Sequence, residues 1–133
     1  MNLNRTNKAI LQQLKANGRM SWQQIGKAVH LTGQAVAARV QQLEEQGLIN
    51  GYTIRQKHVE RHFVTMFMER LDFDGFEAFL IAEPRIEQAY KITGEGCYQF
   101  EFISNEKGDL DTFLNTLLRY GTYKVSSAIR CVK

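Results

Sequence analysis

The side chains best suited to reading another molecule lie between Thr32 and Gln42. Thr32, Gly33, Gln34, Ala35, Ala38, Arg39, Gln41 and Gln42 follow one another at helical spacing around an apolar set, Val36, Ala37, Val40 and Leu43. The only acids of the stretch, Glu44 and Glu45, stand at its far end. Amides and a guanidinium match the donor and acceptor edges of bases in a major groove, small residues permit close approach, and carboxylates near phosphate would repel. Arg39 is the main candidate reader of guanine or phosphate, with Thr32, Gln34 and Ala35 at the groove. The plainer alternative is a surface helix of chance composition, although a merely solvated face usually interleaves Lys with Glu.

Other chemistry finds no constellation. His30, His58 and His62 are not spaced as zinc ligands with Cys97 and Cys131, so no metal site is expected. Cys97 has no histidine nearby in sequence and reads as a small buried hydrophobe. Glu95 and Glu101 are a poor case for paired-carboxylate catalysis, and Gly94-Glu95-Gly96 lacks the helix and the Lys-Ser/Thr of a phosphate loop. The chain is not expected to be an enzyme, and no cofactor is expected.

The reading helix needs elements to hold it. Ser21 with Gln24 forms a capping box for a short helix bearing Ile25, Ala28 and Val29 on one face. His30-Leu31 breaks it, Thr32 caps the next helix, and Gly47 ends that one. Before these, Asn4 can cap a first helix with Ile10, Leu11 and Leu14 inward, stopped by Gly18. The expected core is Ile10, Leu11, Leu14, Ile25, Val29, Leu31, Val36, Val40, Leu43 and Leu48, with Trp22 packed over it. Arg19 and Ser21 stand where a helix start can hold a phosphate, and Lys27 and Arg55 add phosphate contacts. Asn50-Gly51 is a hairpin signal, so either a small wing or one strand leading out of the domain follows.

Residues 1–50 thus form one domain, 51–61 an extended linker and 62–133 a second domain. In the second, Phe63–Leu71 reads as a central strand, and Asp74 with Glu77 starts a helix bearing Phe76, Phe79 and Leu80 that ends before Pro84. Ile86–Thr93 is a second strand, residues 94–97 a turn, and Tyr98, Phe100 and Phe102 alternate along a third. Asp109 caps a helix carrying Leu110, Phe113, Leu114, Leu117 and Leu118, Gly121 stops it, and Lys124–Val132 is the last strand. The order βαββαβ is the ferredoxin-like split motif. Its second sheet face, expected to carry Phe, Tyr, Val and Met, implies a partner subunit.

Charge divides along the same line. Residues 1–61 hold nine Lys and Arg against three acids, and residues 62–133 eight against eleven, so the first half suits a polyanion. No run approaches the roughly 18 apolar residues of a membrane span, no signal peptide is evident, and two cysteines suit a reducing cytoplasm.

Taken together, Asn4 with Ile10-Leu11-Gln12-Gln13-Leu14, Gly18-Arg19, Leu31-Thr32, Arg39-Val40-Gln41-Gln42-Leu43-Glu44, Gly47-Leu48-Ile49, Gly51-Tyr52 and Thr93-Gly94 leading to Tyr98 resemble the Lrp/AsnC family, the feast/famine transcriptional regulators. The resemblance covers residues 3–133 and implies an α+β chain: an N-terminal (winged) helix-turn-helix placing the helix from Thr32 in the major groove, and a ferredoxin-like C-terminal domain pairing subunits into dimers, often stacked as octamers. Many members bind an amino acid near the turn between the second and third strands. That turn is Gly94, Glu95, Gly96, Cys97 and Tyr98 here, and Ser127 falls where the family often has threonine. The chain departs from the pattern at Gly33, where a proline is usual, and at Ala38, where a longer polar residue is common. It departs again at Gly96-Cys97, where many effector-responsive members have a large residue and then aspartate, so the carboxylate that would bind a ligand's ammonium is missing there unless Glu95 substitutes. The implied function is sequence-specific DNA-binding regulation, with a small-molecule-binding ferredoxin-like module or a low-specificity architectural DNA wrapper as alternatives.

Overall fold

Three of the expected caps set the frame of the N-terminal half. In the computed structural model, which describes residues 3–133, the chain divides into one unit ending at Arg55 and another spanning Gln56–Lys133. The first holds α1 (Arg5–Ala16), α2 (Trp22–Val29) and α3 (Gly33–Glu45). The Asn4 side chain accepts from the Asn7 N–H at 2.8 Å, Ser21 and Gln24 complete both halves of their box, and Thr32 accepts from the Ala35 N–H at 3.1 Å. Each bond satisfies a donor that a helix start leaves unpaired.

Ile10, Ile25, Val36 and Val40 are buried together, with Leu14, Met20, Val29, Leu31 and Ile49 packed around them. Leu11 stays half-buried outside that cluster, and Ile49 takes the place expected for Leu48. Trp22 does not cover the core: it is 40% exposed. Helical side chains lean toward the N-terminus, so a ring on the first residue of α2 reaches past the end of the packed layer. The Asn50-Gly51 signal makes no wing. A type I′ hairpin turn needs positive φ at both central residues; neither has it, and residues 50–56 run without regular structure.

The second unit contains β1 (Glu60–Met68), α4 (Phe73–Ala82), β2 (Ile86–Lys91), β3 (Tyr98–Ser104), α5 (Asp109–Leu117) and β4 (Gly121–Ser127). Its antiparallel sheet has the order β2-β3-β1-β4, the expected split βαββαβ arrangement. Met66 pairs with Tyr98 on one side and Tyr123 on the other. Val64, Met66, Phe76, Leu80, Tyr98, Phe100, Phe102, Phe113 and Leu117 form the core, with the Phe102 and Phe113 rings stacked at 4.3 Å.

Several boundaries move. Asp72, not Asp74 with Glu77, caps α4, accepting from the Gly75 N–H at 3.0 Å. Gly108 precedes α5 at φ 90° without a side-chain cap, so Asp109 is its first helical residue. Glu83 and Arg85 clamp the α4–β2 junction through two side-chain bonds of 2.9 and 2.8 Å. Strand β2 stops at Lys91 because Gly94 and Gly96, at φ 95° and 97°, turn the chain earlier than Thr93 suggested. Strand β4 begins at Gly121 and ends at Ser127 rather than spanning Lys124–Val132.

The open sheet face also differs from expectation. Alternation from the buried Val64 and Met66, and their pairing with Val125 and Tyr123, sends those side chains to the helix side. The other side carries Phe63, Thr65 and Phe67 of β1, Tyr90 of β2, Gln99, Glu101 and Ile103 of β3 and Lys124 of β4. It is a mixed face with an aromatic centre, not an apolar sheet. No helix among the described residues is long and apolar enough to cross a membrane.

Candidate nucleic-acid interface

The connection between α2 and α3 is tight at the backbone. His30 takes the left-handed conformation (φ 62°, ψ 44°), and the Leu31 N–H closes onto the Gly26 carbonyl at 2.8 Å. A Cβ at Gly26 would lie 2.3 Å from the Leu31 carbonyl oxygen, so only glycine fits the crossing without displacement. Gly33 sits against Gln23, where a Cβ would meet its backbone nitrogen at 3.3 Å. The starts of the two helices are therefore side by side.

Around α3, Val36, Val40 and Leu43 turn inward. Gln34, Ala38, Gln41 and Gln42 are exposed on the opposite side, in one stripe ending at Glu45, whose carboxylate accepts from Gln41 at 3.3 Å. Ala35 is half-buried at the edge of the stripe. Arg39, expected to be the main reader, is half-buried as well, and its guanidinium donates to Asn7 Oδ1 of α1 at 3.3 Å. The amide stripe, rather than the arginine, is what faces outward.

Arg19, Ser21, Lys27, Thr32 and Arg55 are all exposed. Asn17 Oδ1 accepts from the Arg19 N–H at 3.0 Å and fixes the turn before α2. The hydroxyl oxygens of Ser21 and Thr32 are engaged as caps, which leaves their O–H groups free to donate outward. Through Arg55 the described residues of this unit hold seven basic side chains against Glu44 and Glu45 alone, a net positive surface with its acids at one end of α3. Trp22, expected over the core, instead lines an open depression at the start of α3 with Gln23, Thr32, Gly33, Gln34 and Ala37.

The second candidate site, the β2–β3 turn, folds against β1. The Cys97 N–H donates to the Met66 carbonyl at 2.7 Å, and a Cβ on Gly96 would lie 2.6 Å from the Thr65 methyl. Glu95 accepts from Lys124 Nζ at 2.6 Å, and that bond holds its carboxyl below the usual carboxylate range. Tyr98 does not join this turn. Its ring is buried on the helix side and its hydroxyl donates to Glu77 at 2.6 Å; burial, with help from that carboxylate, pushes the phenol well above its ordinary value. Ser127 is also apart: it bonds His62 Nδ1 at 2.7 Å, three to four residues further along β1, about 10–13 Å at strand rise. The turn thus gathers Gly94, Glu95, Gly96 and Cys97, with Lys124 and Thr65 as neighbours that sequence reasoning did not name.

Residues 3–50 match a family model described as winged helix-turn-helix DNA-binding. Over most of its length the chain is similar to two regulators of Bacillus subtilis (strain 168). It is 36% identical over 130 residues to the HTH-type transcriptional regulator LrpA, spanning 92% of this chain and 94% of that one. With LrpB it shares 33% over 129 residues, 93% and 87% of the two chains. The fold also matches a transcriptional regulator of Neisseria meningitidis solved with L-Met, at TM-score 0.79 and 22% identity, covering 99% of this chain and 93% of the other.

Proposed function

This chain belongs to the Lrp/AsnC family of transcriptional regulators, and from that premise we propose how it reads DNA, assembles and takes an effector. It is a DNA-binding regulator, not an enzyme, as its relatives are. The reading helix is α3, and the observation that carries this is the exposed stripe Gln34, Ala38, Gln41 and Gln42, free of acid until Glu45, on a unit with a net positive charge. Gln34 and Gln42 are the base readers, since a bidentate amide matches adenine. Arg19, Ser21, Lys27, Thr32 and Arg55 hold phosphates. Arg39 supports α3 through Asn7. Residues 51–59 serve as the linker between the DNA-reading domain and the assembly domain, whose sheet takes in Glu60 and Arg61 at its start rather than beginning at residue 62.

Subunits pair through the open sheet face around Phe63, which is 37% exposed beside the half-buried Phe67, and dimers can stack further. An amino acid is the effector, held at Gly94–Cys97 with Glu95 facing its ammonium; the support is the L-Met bound by the Neisseria relative. The test is a titration against DNA upstream of the protein's own gene and against a scrambled duplex, at moderate salt, with and without pooled amino acids. A preference of at least about 1000-fold that changes with amino acids is the expected result. Equal weak binding to both duplexes would replace specific regulation with an architectural role.

A further inference from the structure

We infer that Trp22, the single tryptophan of the chain, packs on the sugar–phosphate backbone of bound DNA beside the groove that α3 enters. This rests on the DNA-binding reading above. Trp22 is 40% exposed at the first position of α2, in an open depression whose other walls are Gln23, Thr32, Gly33, Gln34 and Ala37. A large apolar ring in that position leaves area in water that an occupant could cover. The surroundings select the occupant. Every neighbour in the depression is small, hydroxylic or an amide, and the nearest acids in sequence, Glu44 and Glu45, stand at the other end of α3.

Geometry places a duplex there. A helix with side chains is about 10–12 Å across and the major groove about 12 Å wide, so a helix lying in the groove is flanked by both backbones. Gln34 borders the same depression as Trp22. A duplex offering a base to Gln34 therefore presents its backbone at the indole. The indole's flat face suits deoxyribose, and its single N–H, a donor only, suits a phosphate oxygen. Among the described residues that N–H makes no hydrogen bond. Because the ring is uncharged, it releases no counterion and reads no base edge. Its loss therefore weakens every sequence alike.

The wild-type protein supplies its own probe. A dye-labelled duplex from just upstream of its gene, and a scrambled one, are titrated while dye anisotropy and indole emission are followed together. Indole emission is expected to change and to saturate with the anisotropy on both duplexes. Trp22→Ala is expected to weaken both by about tenfold, and Trp22→Phe, which keeps a ring and loses the N–H, by about threefold. The preference between duplexes and the salt slope stay as in wild type, whereas Lys27→Ala lowers that slope by about one. Circular dichroism confirms that each variant is folded. Saturating anisotropy with unchanged emission would overturn this assignment alone, as would folded variants of unchanged affinity or a loss confined to one duplex. No anisotropy change at low salt with either duplex would overturn the DNA-binding reading, and this assignment with it.

Discussion

At Gly26 a single hydrogen in place of a methyl decides whether α2 and α3 can cross. The Leu31 carbonyl stands 2.3 Å from where a Cβ would go, and it is backbone, so nothing flexible can swing aside. Gly26→Ala is expected to destabilise the N-terminal unit by about 1–3 kcal/mol, the usual cost of overpacking, read as a lower urea midpoint with unchanged slope. Nothing in residues 25–29 advertises this, because the helical periodicity there is satisfied by alanine as well as by glycine. Arg39 poses a similar problem. Its position on the polar side of α3 was legible from spacing, but its bond to Asn7 depends on how α1 lies against α3, which spacing along one helix does not encode. Gln34→Ala is therefore expected to relax base discrimination by about 1–3 kcal/mol. Arg39→Ala should act mainly on stability and on all sequences alike. Paired affinities on matched and single-substituted duplexes separate the two; a selective loss for Arg39→Ala would restore it as a reader.

Among the elements, those fixed by local chemistry were the most legible. The caps at Asn4, Ser21 and Thr32 and the apolar stripes of α3 and α5 each depend on residues within a few positions of one another. Strand ends and the identity of the open face were not, since they depend on partners far along the chain. Val64 and Phe63 look alike in sequence, and only pairing with β3 and β4 decides which one meets the helices. The candidate turn was legible as a turn, but its partner Lys124 lies 29 residues away. Between α4 and β2, the hydrogen bonds from Arg85 depress the Glu83 carboxyl below its usual value. A group with a depressed folded pKa stabilises above its unfolded value and loses that contribution as pH falls through the folded one. Glu83→Gln is thus expected to cost up to about 1 kcal/mol at neutral pH, discounted for the half-exposed Arg85. The gap in melting temperature to wild type should close below the ordinary value of 4.5. A gap that persists at acid pH would mean that shape, not charge, matters at the junction.

For the whole molecule, the question is what covers Phe63, Phe67 and Tyr90. Phe63→Glu is expected to weaken self-association by at least about tenfold while leaving the unit's own fold in place, because Phe63 lies on the side away from the core. Sedimentation equilibrium measures it, and association unchanged by the substitution would move the subunit interface elsewhere. The central place of β1 carries a consequence in time. Residues 60–68 have one edge satisfied only when residues 98–104 arrive and the other only when residues 121–127 do. The three helices of the first unit bury their core among residues 10–49. Local contacts form faster than distant ones, and synthesis delivers the N-terminal unit first. On the ribosome, each new chain is therefore expected to acquire a folded N-terminal unit before its sheet is complete, and the sheet face proposed to pair subunits is whole only once residues 121–127 have been made.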